Sequence, residues 1–498
     1  METIVSVTGG KVRGRTEDGI SKFFGIPYAA APVGPLRFEA PRPVAEWPGV
    51  RDAVEYGPTC AQSPYPPPIH AIIGSDHIPG DEYLNVNVWT PEVGGAGRPV
   101  LVWIHGGAFV RGSNAREMYD GSTFARDGVV VVSINYRLGI SGFAALRDAP
   151  LNRGLRDQIF ALEWVRDNVA AFGGDPGNVT IFGESAGGMS VIDLISSPRT
   201  TGLFRRAIAQ SGNGSAVGTA EDAYKVTEHV ATVLGIEPTA AAFGALTPDQ
   251  LREGQDSVAA ALATDPDPER WGASTIAGGF GVMSFFPVLD GEVLADRPIE
   301  ALAAHPERQV PLLIGWNADE FRLFTVPTGV AAGITAEVLP FAVARYGVDP
   351  AIVADYSATR PDATPADVFA AIVSDLAFRD DSVRIAETVA AAGTPTFAYE
   401  FAWPSGVDGL GACHALEIPF VFDQAAAAPT LTGENPPQQL ATDMHGAWVR
   451  FATEGDPGWP PFDPTGRTVR IFDAPRSSEA TDPRGEELRA LRAAYRTP

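Results

Sequence analysis

The pentapeptide Gly183-Glu184-Ser185-Ala186-Gly187 places a serine between two glycines at a spacing suited to nucleophilic chemistry. In such an elbow the serine sits on a sharp strand-to-helix turn, and the flanking glycines let neighbouring backbone come close. The chemistry would be acyl transfer, in which the hydroxyl attacks a carbonyl carbon and water later releases the covalent intermediate. Alone the pattern is weak, because glycine fills 53 of 498 positions. Its context is stronger: residues 179–182 read as a buried strand ahead of it, and Ala186 onward can open a helix.

A serine hydroxyl needs a base to take its proton, and seven histidines are available: His70, His77, His105, His229, His305, His414 and His445. Elbow enzymes place acid and then histidine after the serine in chain order, which leaves the last four. His229 and His305 fall in helical material and His445 in a helical pattern. His414 follows a strand end and a Gly-rich loop, and it is the expected base. The orienting acid should follow a strand between serine and histidine. Residues 310–314 form such a strand, followed by both Asp319 and Glu320, and spacing does not choose between them. Backbone donors for the oxyanion are expected where Trp103-Ile104-His105-Gly106-Gly107-Ala108-Phe109 leaves another apolar run, and at the N–H after the serine.

The elements that must position these groups are legible as short apolar runs at 100–104, 129–134, 179–182, 207–209, 310–314, 397–401 and 469–472. Strands buried on both faces look like this, so a mostly parallel central sheet is expected. Residues 155–171 carry apolar side chains at helical spacing and stop at Gly173-Gly174. The alternation of strand and helix is α/β grammar, with ligands at the carboxyl ends of the strands. Residues 3–24 suggest a small antiparallel hairpin at the sheet edge. Two Ala-rich stretches, roughly 215–305 and 325–392, read as helical insertions over one end of the sheet. Nothing marks a hinge, so residues 1–498 read as a single elaborated domain.

The net charge of −24 argues against nucleic acid partners, since polyanion binding needs a basic surface. No uninterrupted apolar run is long enough for a membrane span, and Met1-Glu-Thr-Ile-Val-Ser-Val lacks a secretory pattern, so a cytoplasmic monomer is the default expectation. Two cysteines, Cys60 and Cys413, are too few for a disulfide scaffold, and no Cys/His cluster suggests a metal.

The chain resembles the type-B carboxylesterase family along nearly its whole length. The resemblance rests on Phe24-Gly-Ile-Pro-Tyr-Ala, Gly34-Pro-Leu-Arg-Phe, Leu84-Asn-Val-Asn-Val-Trp-Thr-Pro, Asn135-Tyr-Arg-Leu, Ala170-Ala-Phe-Gly-Gly-Asp-Pro, Gly183-Glu-Ser-Ala-Gly-Gly, Gln210-Ser-Gly, His414-Ala-Leu-Glu-Ile-Pro-Phe and Phe451-Ala-Thr-Glu-Gly-Asp-Pro. It implies an α/β-hydrolase fold and a carboxylic ester hydrolase that uses no cofactor and no metal. It further implies Ser185 as nucleophile, His414 as base, Glu320 rather than Asp319 as acid, and Gly107, Ala108 and Ala186 as oxyanion donors. Gly106 would shape the donor turn, and Glu184 and Ser211 would support the centre from behind.

The departures bear on substrate. Gly80-Asp-Glu-Tyr83 lacks the cysteine that many members pair with the equivalent of Cys60, so Cys60 is expected as a free thiol. Residues 60–83 contain no tryptophan, which removes the cation-binding face of the cholinesterases. Phe321 stands where the family usually has glycine. It would tighten the acid loop or project a ring into the pocket. Phe280, Phe285, Phe286, Phe321 and Phe324 are the expected apolar lining for small esters of short to medium acyl chains and aryl or bulky alcohols. An amidase, a long-chain lipase or a non-catalytic binding member of the fold are the rival expectations.

Overall fold

In the computed structural model, which describes residues 2–74, 77–95 and 97–495, the apolar runs become the middle of one large sheet. Its strands are β1 (Glu2–Val7), β2 (Gly10–Glu17), β3 (Ile20–Pro27), β4 (Val50–Asp52), β5 (Asn85–Thr90), β6 (Arg98–Ile104), β7 (Val130–Ile134), β8 (Gly174–Glu184) and β9 (Arg206–Gln210). After the two-residue pair β10 (Gly218–Thr219) and β11 (Val288–Leu289), which forms a separate sheet, come β12 (Leu312–Asn317), β13 (Thr396–Phe401), β14 (Thr468–Phe472) and β15 (Ser478–Thr481). The spatial order is β1-β2-β3-β5-β7-β6-β8-β9-β12-β13-β14-β15, with β4 beside β2. From β7 to β14 every neighbour is parallel, and the antiparallel pairs sit towards the two ends.

The continuous apolar runs have a direct cause. Alternate side chains of each central strand enter two different cores: Val100, Val102, Ile104, Val179 and Ile181 face one, while Leu101, Trp103, Phe182, Ile208 and Leu313 face the other. The helix Arg153–Asn168 covers the first core with Leu155, Ile159, Leu162 and Val165, as its spacing predicts. The helix Gln438–Glu454 covers the second with Met444, Trp448 and Phe451.

At the amino end, β1, β2 and β3 form a three-stranded meander that joins the main sheet through β5, a fuller element than the expected hairpin. Residues 310–314 are displaced as a strand, because β12 starts after Pro311 and continues through Gly315, Trp316 and Asn317. Proline withholds the donor a ladder needs, and β9 and β13 on either side hold the later residues in register. The stretches 215–305 and 325–392 are mostly helical. Their last helices, Pro298–Ala304 and Asp380–Ala391, belong to the layer covering the sheet: the second packs on β12 and β13, and the first packs on it and on the helix Ala186–Ser196.

Candidate active site

β8 ends at Glu184, and Ser185 turns the chain with φ 57° and ψ −124° before the helix Ala186–Ser196 begins. That conformation is sterically costly for a residue with a side chain and persists only where its surroundings hold it. Here the Ser185 N–H donates to the Gln210 carbonyl at 3.0 Å, and the Ser185 carbonyl accepts from Met189 N–H at 2.8 Å. The turn also depends on Gly187, where a Cβ would lie 2.0 Å from the Ile104 carbonyl oxygen at the end of β6.

The loop after β6 passes against this turn, and a Cβ on Gly106 would meet the Glu184 carbonyl oxygen at 2.6 Å. Gly107, Ala108 and Phe109 all take positive φ, at 116°, 56° and 59°. Among the described residues the Gly107 and Ala108 N–H groups donate to no backbone carbonyl. Ala186 opens its helix, so its N–H is one of the donors a helix leaves unused. Behind the loop His105 stacks on Tyr136 with ring centroids 4.5 Å apart, and the Tyr136 hydroxyl donates to the His105 carbonyl at 2.8 Å. Burial lowers the His105 imidazole to about 4, so it is a neutral prop.

Beyond β12, the fully buried Glu320 accepts the Asn317 N–H through Oε1 at 2.8 Å, and its Oε2 lies 2.6 Å from His414 Nδ1. Asp319 points elsewhere: it accepts from Ala412 N–H at 3.0 Å and pairs with Arg322 at 3.3 Å. The structure thus brings Glu320, not its neighbour, to the histidine. His414 contacts the rings of Phe378 and Phe324, at 4.8 and 5.3 Å between centroids. Its Nε2 stands 3.1 Å from Glu184 Oε1 but off the line of a hydrogen bond. The remaining candidate bases lie elsewhere. His229 Nδ1 is bonded to the Lys225 carbonyl, His305 lies beside Glu307, and His445 contacts Asp127 and the Val421 carbonyl.

Glu417 was not singled out from the sequence, although it lies three residues after His414. It is fully buried, with Oε1 accepting from Gln210 Nε2 at 3.1 Å and Oε2 from Asn317 Nδ2 at 2.7 Å. One imidazole therefore sits among three buried carboxyl groups, and repulsion from its neighbours adds to burial in opposing ionisation of Glu184 and Glu417. Burial pushes Glu184 up to about 8 and Glu417 up to about 7. Burial alone would lower His414, but Glu184 and Glu320 outweigh it and raise the imidazole to about 9. Ser211, at the end of β9, is fully buried, and its Oγ has no partner among the described residues.

Ser185, His414, Gly106, Gly107, Ala108 and Glu184 line one cleft of about 280 Å³. Phe280, Phe321 and Phe324 line it as expected, so Phe321 does project into the pocket. Phe285 and Phe286 do not: both are buried, and Phe286 packs against Gly278. Phe378 takes a lining place instead, delivered by the π-helical turn Asp375–Arg379.

Residues Ser185, Glu320 and His414 reach one end of a sheet covered on both faces, each from a loop beyond a parallel strand and in this chain order. That is the arrangement of an α/β-hydrolase. Residues 1–477 match the model of the Carboxylesterase family. The para-nitrobenzyl esterase of Bacillus subtilis (strain 168) is 36% identical, with 98% of each chain covered. The phenmedipham hydrolase of Pseudarthrobacter oxydans is also 36% identical, over 92% of each. Among solved structures, the carboxylesterase of Geobacillus stearothermophilus at pH 6.2 superposes with a TM-score of 0.85 at 36% identity, covering 98% of this chain and 100% of that one. The chain belongs to the carboxylesterase family, and its activity is the hydrolysis of carboxylic esters. Among the described residues no helix is long and apolar enough to cross a membrane.

Proposed function

We propose that the enzyme hydrolyses small esters of short to medium acyl chains with aryl or bulky alcohols, through an acyl-enzyme on Ser185. The observation that carries this is the 2.6 Å contact of Glu320 with His414, in the cleft that also holds Ser185. His414, oriented by Glu320, takes the proton from Ser185 as its Oγ attacks the ester carbonyl. The N–H groups of Gly107, Ala108 and Ala186 stabilise the oxyanion, and Gly106 lets their loop approach the elbow. His414 then protonates the leaving alcohol, and a water activated in the same way frees the acid and restores Ser185. Glu184, on the cleft wall beside His414, and the buried Ser211 support the centre, and the scheme calls for no metal or organic cofactor. The names of the para-nitrobenzyl and phenmedipham relatives fit an aryl-bearing substrate.

A cleft of about 280 Å³ with mostly apolar walls suits a small acyl group. Across p-nitrophenyl acetate, butyrate and palmitate, kcat/KM for butyrate is expected to exceed that for palmitate by at least about tenfold. Dominant palmitate turnover would make it a lipase, and comparable hydrolysis of p-nitroanilides an amidase.

The proton inventory adds a pH test. Only neutral His414 can act as base, so a raised imidazole moves the acid limb of kcat/KM above the ordinary histidine range. Glu184→Gln removes a carboxyl 3.1 Å from Nε2, which should lower the imidazole and shift that limb down by about one pH unit. A limb unmoved or moved upward would show that Glu184 does not act on His414 as a charge.

On the same reading, residues 1–498 form one elaborated domain whose helical stretches, 215–305 and 325–392, roof the cleft apart from their last helices, which cover the sheet. The single sheet spanning Glu2 to Thr481 supports this. We further take the enzyme to be a cytoplasmic monomer acting on small molecules. Two buried free thiols, Cys60 and Cys413, fit a reducing compartment.

A further inference from the structure

Beyond the catalytic groups, the mostly apolar cleft has one feature that does not match neutral substrates: Arg111 and Arg116 both line it. Arg111 is tied into the oxyanion loop, since its N–H donates to the Gly107 carbonyl at 3.0 Å. The next residue is clamped by Gln62, which accepts the Gly112 N–H at 2.6 Å and donates to the Gly112 carbonyl at 2.9 Å. The Arg111 guanidinium lies over the Tyr65 ring, 4.9 Å from its centroid. Its Nε is buried without a hydrogen-bond partner, and among the described residues no carboxylate pairs with it. Other arginines with a buried Nε, such as Arg379, Arg467 and Arg484, each hold an acidic partner through their remaining nitrogens.

An arginine on the wall of a substrate cleft, with no carboxylate partner among the described residues, leaves its guanidinium to a ligand. Guanidinium forks favour planar anions, carboxylate above all. We infer that Arg111 forms a carboxylate subsite in the catalytic cleft, so that the enzyme prefers esters bearing a free carboxylate away from the scissile bond. The inference rests on the proposed esterase site and specifies what one of its walls recognises. The carboxylate can belong to the alcohol or to the acyl group, and the test separates these two sources.

One arm compares 3-carboxyphenyl butyrate with phenyl butyrate, and the other monophenyl adipate with phenyl hexanoate. The quantity read in each is the ratio of kcat/KM for the anionic ester to that for the neutral one. In Arg111→Gln this ratio should fall by about tenfold to a hundredfold in the arm that presents its carboxylate to the subsite, the range for hydrogen bonds to a charged group. Arg111→Lys, which keeps the charge but loses the fork, should fall less. A ratio within about twofold of the parent in both arms would overturn the subsite, while measurable neutral-ester turnover shows that the esterase site itself stands. If Arg111→Gln does not fold, the parent enzyme still decides. Benzoate should inhibit competitively at lower concentration than benzamide, and equal inhibition would count against the subsite.

Discussion

Ser185→Ala should lower kcat for p-nitrophenyl butyrate by on the order of 10⁴–10⁶ and abolish any burst of p-nitrophenol. The size follows from what remains. The proposed oxyanion amides belong to the backbone of Gly107, Ala108 and Ala186 and survive the change, so substrate binding and part of the electrostatic stabilisation should be retained. The covalent path is lost, because among the described residues the other hydroxyls lining the cleft are the phenols of Tyr65 and Tyr119. Both cysteines are buried outside its lining, and burial pushes their thiols up, Cys60 to about 12. Removing His414 as well should cost little more, since nucleophile and base act as one unit. Steady-state and burst kinetics on Ser185→Ala and on Ser185→Ala/His414→Ala check both points. Undiminished turnover in the single variant would remove Ser185 from the mechanism.

What could be read from the sequence follows how local each determinant is. The elbow and the oxyanion loop are set by neighbours in the chain: a buried strand, then residues small enough for close backbone approach at Gly106 and Gly187. The structure turns the chain at Ser185 and brings Gly106 against Glu184 and Gly187 against Ile104. The choice between Asp319 and Glu320 is not local. It depends on β12 ending at Asn317, so that the third residue on points inward while the second meets Arg322 at the surface. Pattern alone put that strand end three residues early. The aromatic lining fails for a related reason: Phe280 and Phe285 are five residues apart in one insertion, and only tertiary packing decides which faces the cleft. Phe378 owes its place to a π-helical turn that helical periodicity does not anticipate. Glu417 was visible as a carboxyl three residues after His414, yet its role among the buried charges emerges only when β9 and β12 bring Gln210 and Asn317 to it.

The largest stability effect is expected at Arg137, within the Asn135-Tyr-Arg-Leu segment after β7. Its guanidinium is fully buried against the equally buried Asp157, with Nη2 donating to Oδ1 at 2.7 Å and Nε to Oδ2 at 2.8 Å. The Arg137 N–H also donates to Oδ2 at 3.0 Å, and Nη1 donates to the carbonyls of Arg37 and Glu39 at 3.1 and 2.6 Å. One side chain thus joins the end of β7, the helix Arg153–Asn168 and the amino-terminal segment. Arg137→Met keeps much of the volume but leaves Asp157 a desolvated charge with no cation, which should cost about 3–5 kcal/mol. Arg137→Met/Asp157→Leu removes both charges and should recover part of that loss. The recovery stays incomplete because the Arg137 N–H and the two carbonyls then lack partners, each costing about 1–3 kcal/mol if no water replaces them. Denaturant midpoints of the parent, both single variants and the double variant provide the cycle. A double variant no more stable than Arg137→Met would mean that the backbone contacts, rather than the stranded carboxylate, carry the penalty.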